Sequence, residues 1–377
     1  MLKIGIVCPY DIFAGGGVQE QVLALNKIYN ESGIKSVIIT PRPAGCKDDY
    51  DDIIFLGKSR PFKSMHTQSQ FSVSIDTDKI DQVLAAEDFD ILHFHEPWVP
   101  VMSRQVLSRS TSINFATFHA AIPDLFMAKT IERVFKPYTK SILKYLDVLT
   151  AVSPTATNSA VSITNRKILV IPNGIDVKQF SRSELTVDHS SRIRIFYVGR
   201  LEKRKGLRYL IEAFADLRAK RDDVELIIAG TGPDTDKLKD KVKEDKIPDV
   251  TFVGRITDQE KIDYLHTSHI FCSPALYGES FGIVLLEAMA SGAVAVAGNN
   301  SGYKDVMSGD GRMSIINPKE VEEFSRRLEL LIDSKNLRTV WQSWAKAEVE
   351  KYDFSTVARS YINLYKMAHE KKNGNKE

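Results

Sequence analysis

The chain has 377 residues, of which 43% are hydrophobic and 27% are charged, and its formal net charge is +2. This length exceeds what one compact core supports, so two domains are expected. The near-neutral charge lacks the concentrated basic stripe of a nucleic-acid-binding protein. Its three cysteines lie far apart and form no disulfide or zinc pattern, and the N-terminus runs directly into a strand-like segment. We therefore expect a cytoplasmic protein.

Short apolar runs alternate with helical patterns through the first half of the chain. This alternation predicts a parallel sheet covered by helices on both faces. The first helix spans residues 18–29, with Val22 and Leu25 on one face, and Ser153 and Pro154 suit the N-cap and first residue of another helix. The predicted strands are residues 4–8, 36–40, 53–56, 91–95 and 114–119.

A polar stretch at residues 178–192 interrupts the alternation and predicts a linker. Beyond it the same alternation begins again, with an apolar helical stripe over residues 207–217 and a capping box formed by Thr257 and Glu260. The predicted strands here are residues 193–198, 224–229, 250–253, 270–274 and 293–297.

These patterns predict two α/β domains in tandem. The first covers residues 1–177 and is joined by residues 353–377, which begin with a helical stripe. The second covers residues 190–352. The charged tail at residues 369–377 is predicted to be disordered.

The segment at residues 278–292 is the most informative part of the sequence. It places Glu279 just before a predicted helix and Glu287 inside that helix. Residues 280–283 would present backbone N–H groups at the helix start, which attracts phosphate, whereas carboxylates accept hydrogen bonds from hydroxyls. Both preferences together fit a nucleotide-sugar. A strand-loop-helix with a purely structural role is the alternative, and a membrane span is rejected because Glu287 lies within the apolar run.

Two other segments suit an anion. Three glycines at residues 15–17 separate the first strand from the first helix, although a tight structural turn needs them equally. Arg200 follows the first strand of the second domain, where ligands of open α/β sheets bind, and Arg204 and Lys205 lie close behind it. Arginine and lysine hold phosphate oxygens, although a solvated basic turn has the same composition.

Three histidines lie at predicted strand ends, namely His93, His95 and His119. His93 and His95 share a face of one strand, which with Glu96 nearby makes a metal site conceivable. The spacing offers no third ligand, so we expect no metal site. A satisfied structural role is the usual one for a strand histidine.

These motifs, in this order, are typical of one enzyme family. The chain resembles the retaining glycosyltransferases of family GT4, which have the GT-B fold, and within it the phosphatidyl-myo-inositol mannosyltransferases of the PimA type. The matching stretches are Cys8-Pro9-Tyr10, Gly16-Gly17-Val18-Gln19, His95-Glu96-Pro97, Ala116-Thr117-Phe118-His119, Ile171-Pro172-Asn173-Gly174-Ile175-Asp176, Gly199-Arg200, Arg204-Lys205-Gly206 and residues 278–287.

The resemblance implies two Rossmann-like, doubly wound domains facing across a cleft, with the C-terminal helix crossing back to the first domain. The first domain would bind the acceptor and the second the nucleotide-sugar. The implied reaction moves a hexose with retention, giving an α-linkage: mannose from GDP-mannose to a lipid-linked, polyol or glycan acceptor. UDP-glucose or another UDP-sugar is the alternative donor.

The resemblance also assigns residues to roles. Arg200 and Lys205 would hold the diphosphate, Glu279 the sugar hydroxyls and Glu287 the ribose, while His119 would contact the sugar at the reacting centre. The implied catalytic residues are His119, Glu279, Arg200 and Lys205. The implied donor-binding residues are Gly16, Gly17, Arg200, Lys205, Glu279, Phe281, Gly282, Ile283 and Glu287. The implied acceptor-binding residues are Tyr10 and Gln19.

No cofactor is required by this interpretation. Mg²⁺ is compatible with it, although no magnesium site can be recognised in the sequence. Residues 57–66 include Lys58, Arg60 and Lys63, which is compatible with a peripheral location at the inner face of the plasma membrane. A solvated loop fits that stretch equally well. Two further hypotheses stay open: a sugar-nucleotide epimerase of the same fold, and a non-catalytic binder of sugar-nucleotides.

Overall fold

The structure is a computed structural model that divides into two compact units. Unit 1 comprises Met1–Gly174 and Phe354–Glu377, and unit 2 comprises Ile175–Asp353. The residues that the structure describes are 2–64, 67–72, 76–119, 137–161, 163–181 and 192–374.

Unit 1 is built on an 8-stranded sheet in the order β4-β3-β2-β1-β5-β6-β7-β8. All neighbours in this sheet are parallel except β3 and β4, which are antiparallel. The strands are β1 (Lys3–Val7), β2 (Lys35–Arg42), β3 (Ile53–Ser64), β4 (Thr67–Ser72), β5 (Ile91–His95), β6 (Ile113–Phe118), β7 (Val148–Ala151) and β8 (Ile168–Val170). The helices are α1 (Gly17–Glu31), α2 (Thr77–Glu87), α3 (Met102–Leu107), α4 (Pro154–Val161) and α13 (Phe354–Gly374).

Unit 2 is built on a 6-stranded parallel sheet in the order β11-β10-β9-β12-β13-β14. The strands are β9 (Ile193–Val198), β10 (Val224–Ala229), β11 (Val250–Gly254), β12 (Ile270–Ser273), β13 (Val294–Gly298) and β14 (Ile315–Ile316). The helices are α5 (Val177–Phe180), α6 (Leu207–Arg218), α7 (Thr235–Glu244), α8 (Asp258–Thr267), α9 (Ile283–Ser291), α10 (Ser301–Val306), α11 (Val321–Asp333) and α12 (Lys335–Val349). Short 3₁₀ turns are Lys203–Lys205, Gly309–Ser314 and Glu350–Tyr352.

The two faces of the unit 1 sheet carry separate apolar clusters, as expected when both faces are covered by helices. On one face Ile4 and Ile6 pack with residues of α1 and α13, and on the other Val7 and Phe94 pack with residues of α2 and α3. The predicted helix starts are also confirmed. Ser153 Oγ accepts from the N–H of Ala156 at 2.9 Å, and Thr257 and Glu260 form the capping box.

The charged tail departs from its prediction, because α13 continues through Gly374. Two contacts hold its last turns to the rest of unit 1: Lys372 Nζ donates to the carbonyl of Thr111 at 2.7 Å, and His369 Nδ1 lies 3.8 Å from Asp90 Oδ1. Disorder at residues 369–374 was therefore the wrong prediction. Residues 375–377 lie outside the described residues.

Two more predictions change. Strand β3 extends through residues 57–64 because it pairs antiparallel with β4, so the loop interpretation of that stretch was wrong for its backbone. Residues 65 and 66 lie outside the described residues. Residues 178–180 of the predicted linker form helix α5, whose N-cap Asp176 accepts from the N–H of Gln179 at 2.9 Å. Residues 182–191 lie outside the described residues.

Helix α13 is joined to the sheet by buried polar contacts as well as apolar ones. Tyr365 Oη lies 2.6 Å from His93 Nδ1 and 3.4 Å from Tyr29 Oη, and both tyrosines and His93 are buried. Because a buried polar group without a partner is costly, this network fixes where the returning helix docks.

We predict that Tyr365→Phe destabilises unit 1 by about 1–3 kcal/mol, because it leaves the buried Nδ1 of His93 without its partner. Amide hydrogen exchange in β1 and β5 measures this change. Met367→Ala on the same helix is the matched control, since Met367 is 66% exposed and its loss should cost less than about 0.5 kcal/mol. Equal protection in Tyr365→Phe and the parent protein would show that the network does not anchor the helix.

Candidate active site

In unit 2 the sequence-predicted segments converge at the carboxyl ends of the strands. Two glycines permit the close backbone approaches between these segments. A Cβ on Gly206 would lie 2.0 Å from the carbonyl oxygen of Pro274, and a Cβ on Gly230 would lie 1.9 Å from that of Gly199. Both glycines also have positive φ, at 70° and 117°. The turn after β9 is thereby packed directly against the loop after β12.

This packing places the predicted basic residues against Glu279. Its Oε1 lies 2.6 Å from an Nη of Arg204 and 2.8 Å from Nζ of Lys205. A second carboxylate, Glu202, lies 2.7 Å from Nε of Arg204 and 3.7 Å from Nε of Arg200. Three cations therefore share two carboxylates at the carboxyl ends of the strands. Such a cluster keeps one positive charge in excess.

The cluster is only partly open to solvent. The side chain of Glu279 is 14% exposed and that of Lys205 17%, whereas that of Arg200 is 43% exposed. Ion pairs with so little exposure are weakly screened by salt. Arg200 is thus the cation most accessible to a ligand arriving from solvent.

The predicted anion-binding helix start lies next to this cluster. Helix α9 begins at Ile283, preceded by Gly282 with φ 119°, and a Cβ at Gly282 would lie 2.8 Å from the ring of Tyr303. The N–H groups in the first turn of a helix have no partner within that helix. Phe281 is buried, and its ring lies 5.7 Å from that of Tyr352. Gly292 ends the helix in the left-handed conformation.

Glu287 lies within α9 and is buried. Its Oε1 accepts from Nζ of Lys261 on α8 at 2.8 Å, and that ammonium lies 5.4 Å from the ring centroid of Phe180. The cation thus compensates a carboxylate that would otherwise be costly to bury. Lys261 was not recognised in the sequence, where a lone lysine on a helix carries no signal.

The glycine turn of unit 1 has the predicted form. Gly15 and Gly16 have φ of 71° and 141°, and α1 begins at Gly17. Gln19 Nε2 donates to the carbonyl of Asp11 at 3.4 Å, so this side chain spans the turn. A Cβ on Gly16 would lie 2.8 Å from Gln19 Oε1.

Tyr10 precedes this turn. Its backbone carbonyl accepts from Thr40 Oγ1 at 2.7 Å. Burial raises the pKa of its phenol well above the usual value, with Glu96 adding to the effect. The phenol therefore stays protonated and can donate a hydrogen bond.

His93 and His95 lie in β5, with His95 as its last residue, and His119 directly follows β6. His95 Nδ1 lies 2.8 Å from His119 Nε2, and the backbone N–H of His119 donates to Glu96 Oε1 at 2.7 Å. Trp98 Nε1 donates to the other oxygen of Glu96. Glu96 itself has φ 54°, a strained backbone conformation for this residue. Because backbone strain clusters at functional sites, this strand end is a candidate site.

Burial keeps these histidines neutral. It lowers the pKa of His93 and His119 to about 3 and that of His95 well below its usual value. A side-chain contact with Asn173 acts in the opposite direction on His119. Asn173 belongs to a quoted family motif but was not singled out, and Glu202 was also missed because nothing in its neighbourhood showed that it is buried. Within the described residues, no cluster of three His, Cys, Asp or Glu side chains is arranged to hold a metal ion.

Two family models together match residues 15–348: "Glycosyltransferase Family 4" matches residues 15–179 and "Glycosyl transferases group 1" matches residues 179–348. The chain belongs to glycosyltransferase family 4. It is a hexosyltransferase of this family, as the sequence predicted.

The likeness to phosphatidyl-myo-inositol mannosyltransferases is also confirmed. The enzyme of that name from Mycolicibacterium smegmatis is 29% identical over 368 residues, which cover 97% of this chain and 93% of that protein. The enzyme of that name from Mycobacterium tuberculosis strain H37Rv is 28% identical over 376 residues, covering 97% and 96%.

Solved structures confirm the predicted fold class, α/β with two Rossmann-like domains as in GT-B glycosyltransferases. HepE of Anabaena, solved with UDP and glucose, superposes with a TM-score of 0.77 at 16% identity, covering 97% of this chain and 100% of that one. Among the described residues of this glycosyltransferase, no helix is long and apolar enough to cross a membrane.

The neutral histidines predict a pH dependence of stability. Their pKa is lower in the folded than in the unfolded protein, so the unfolded chain binds more protons as the pH falls below about 6.5. We expect unit 1 to lose about 4 kcal/mol of stability between pH 7.5 and 5.5, about 1.4 kcal/mol for each histidine. Amide hydrogen exchange in β5 and β6 measures this loss.

The control is His93→Asn, in which one of the three groups no longer titrates. The loss between the two pH values should then fall by about a third. A parent protein whose β5 and β6 amides are equally protected at both pH values would contradict the assignment of neutral buried histidines.

Proposed function

We propose that this glycosyltransferase moves a hexose, mannose from GDP-mannose, to a lipid-linked, polyol or glycan acceptor with retention of configuration, giving an α-linkage. The observation that carries the proposal is that Glu279 Oε1 is shared by Arg204 and Lys205 beside the start of α9. The carboxyl ends of the unit 2 strands thus offer cations for a diphosphate and a carboxylate for sugar hydroxyls.

Donor binding would exchange the partners within this cluster. The diphosphate of a nucleotide-sugar offers Lys205 and Arg204 charged oxygens in place of Glu279. Once released, the Glu279 carboxylate accepts hydrogen bonds from hydroxyls of the sugar. Arg200, the most exposed cation of the cluster, adds a third contact to the diphosphate. Binding of the diphosphate and release of the sugar-binding carboxylate become one event.

The same cations act in the chemical step. The bond between C1 of the sugar and the diphosphate oxygen breaks, and its electron pair leaves on the phosphate. Arg200, Lys205 and the N–H groups of Phe281, Gly282 and Ile283 stabilise that developing charge. The acceptor oxygen bonds to C1 on the same face, and its proton passes to the departing phosphate. The products are the glycoside and the nucleoside diphosphate.

This mechanism needs no covalent nucleophile, and Glu279 is occupied by the sugar hydroxyls. A trapped glycosyl-enzyme adduct would overturn it. It also needs no divalent cation, since the protein supplies the positive charge, and so the proposed transfer proceeds unchanged in the presence of EDTA.

Glu287 is proposed to accept hydrogen bonds from the ribose hydroxyls of the donor. Its burial and its contact with Lys261 Nζ at 2.8 Å fix the position of this carboxylate on α9. Fixed carboxylates are well suited to recognise a pair of neighbouring hydroxyls, because no side-chain entropy is lost on binding.

Unit 1 is proposed to bind the acceptor, with contacts from Tyr10 and Gln19. Its residues Gly16 and Gly17 are proposed to contact the donor, and the His119 side chain is proposed to contact the donor's sugar. The names of the relatives from Mycolicibacterium and Mycobacterium, which specify phosphatidyl-myo-inositol, support a lipid-linked acceptor. We accordingly propose a cytoplasmic protein peripheral to the inner face of the plasma membrane.

The donor alternatives separate in one calorimetric screen of GDP-mannose, UDP-glucose and their nucleoside diphosphates. Tighter binding of the uridine compounds would replace GDP-mannose by a UDP-sugar in the proposal. Incubation with donor alone tests the epimerase alternative, which predicts a new sugar-nucleotide and no glycoside.

Lys205→Ala should weaken the binding of the preferred nucleoside diphosphate by about 1.5–3 kcal/mol, because it removes a charged hydrogen bond. Isothermal titration calorimetry measures the change. Lys203→Ala is the matched control: it removes the same charge from the same turn, and Lys203 is exposed. Equal affinity losses in the two variants would show that the site responds to net charge alone.

Glu279→Gln should separate binding from catalysis. It frees Lys205 and Arg204 from their carboxylate, so the nucleoside diphosphate should bind as tightly as before or several-fold tighter. Transfer of the sugar should nevertheless fall by on the order of 100-fold in kcat. Unchanged transfer in this variant would contradict the proposed role of Glu279. If the parent protein forms no product either, a non-catalytic binder of sugar-nucleotides is favoured instead.

A further inference from the structure

The contact between His95 and His119 has a consequence for the form of His119. His95 is the last residue of β5, and His119 directly follows the neighbouring parallel strand β6. Their rings stack with centroids 5.0 Å apart and an interplanar angle of 29°. His95 is fully buried and His119 nearly so. The 2.8 Å between Nδ1 of His95 and Nε2 of His119 therefore holds a single proton between two neutral rings.

That proton can lie on either ring, and the two arrangements differ in which other nitrogen of His95 and His119 carries a proton. If it lies on His119 Nε2, the proton of His95 must lie on its own Nε2. This atom is buried and has no hydrogen-bond partner among the described residues. Buried N–H groups without an acceptor are rarer in proteins than buried acceptors without a donor. The proton is therefore better placed on His95 Nδ1, and His119 then carries its own proton on Nδ1.

The surroundings of His119 agree with this arrangement. The side-chain contact with Asn173 acts to raise the pKa of His119, so it favours a proton on this ring. Asn173 Oδ1 meets no donor at full hydrogen-bond geometry, so the contact is loose. A ligand hydroxyl can take the place of Asn173 without breaking a strong bond.

The ring of His95 also packs against the ring of His93. His93 lies on the same face of β5, with its ring centroid 4.4 Å from that of His95. Both nitrogens of His93 are engaged, Nδ1 with Tyr365 Oη and Nε2 with Thr117 Oγ1, each at 2.6 Å. His95 therefore has a fixed orientation from which to act on its neighbour.

We infer that His95 is a positioning residue that donates from Nδ1 to Nε2 of His119 and so keeps His119 in the tautomer with a proton on Nδ1. In that form His119 donates a hydrogen bond to a hydroxyl oxygen of a bound sugar. The inference rests on the proposed function, which places a sugar at His119.

Two substitutions of His95 test the inference. In His95→Asn the amide nitrogen occupies the place of Nδ1 and can still donate to His119, whereas His95→Leu has no donor. We expect kcat of His95→Asn to stay within about threefold of the parent and that of His95→Leu to fall at least about tenfold. Affinity for the nucleoside diphosphate should be unchanged in both. If His95→Asn loses as much activity as His95→Leu, the Nδ1 bond is not what matters and the inference is wrong.

The tautomer can be observed directly. In protein labelled with ¹⁵N in its histidine rings, NMR should show His119 protonated on Nδ1 in the parent and in His95→Asn, and a changed tautomer in His95→Leu. Protonation of His119 on Nε2 in the parent would overturn the inference. The tautomer of His119 in the parent protein tests the inference even if His95→Leu does not fold. It also tests the inference if the parent protein transfers no sugar, a result that would refute only the proposed function.

His93→Asn controls for destabilisation. His93 is as deeply buried as His95 and makes two hydrogen bonds, but it does not bond to His119. This variant should lose stability while leaving the tautomer of His119 unchanged. A shift of the tautomer in His93→Asn as large as that in His95→Leu would assign the effect to general loosening of the strand end and overturn the inference.

Discussion

The shared ion pair of Glu279 with Arg204 and Lys205 is the interaction on which the proposed mechanism depends. A partly buried carboxylate beside two cations is stable only while its charge is compensated. Its partners are the groups best suited to hold a diphosphate. Glu279 thus fills the anion site with a side chain of the protein itself, which avoids leaving two adjacent cations uncompensated. A ligand that displaces Glu279 must replace its charge, and a diphosphate does so.

A different constraint governs unit 1, where the polar groups are neutral and buried. The rings of His93, His95 and His119 pack in a row at the ends of β5 and β6, and His95 and His119 are also hydrogen-bonded. The returning helix α13 continues this row through Tyr365, which bonds to His93. The helix that follows unit 2 in the chain therefore supports the histidines of unit 1. Truncation of the chain after unit 2 would remove the rings of Tyr361 and Tyr365 that pack against His93.

Much of the fold could be predicted from the sequence because parallel strands buried on both faces are continuous apolar runs, and helix starts have their own signatures. The strands at residues 193–198 and 224–229 and the capping box at Thr257 are of this kind. The extension of β3 could not be predicted, because it depends on pairing with β4. The order of residues 369–374 depends in the same way on contacts with Thr111 and Asp90, far away in the sequence.

The candidate site shows the same division. Glycines and charged residues at strand ends can be recognised locally, so Gly16, Arg200, Lys205 and Glu279 were named from sequence. Partners that act by burial cannot: Glu202 and Lys261 are ordinary charged residues until the fold places them against their counter-ions.

A crystal structure of the protein with its nucleoside diphosphate tests the central claim most directly. Nζ of Lys205 lies 2.8 Å from Glu279 Oε1. The account predicts that in the complex this Nζ contacts a diphosphate oxygen instead. Glu279 should then face the position of the sugar. A diphosphate bound with the Glu279 pair intact, or bound away from Arg200 and the start of α9, would contradict the account.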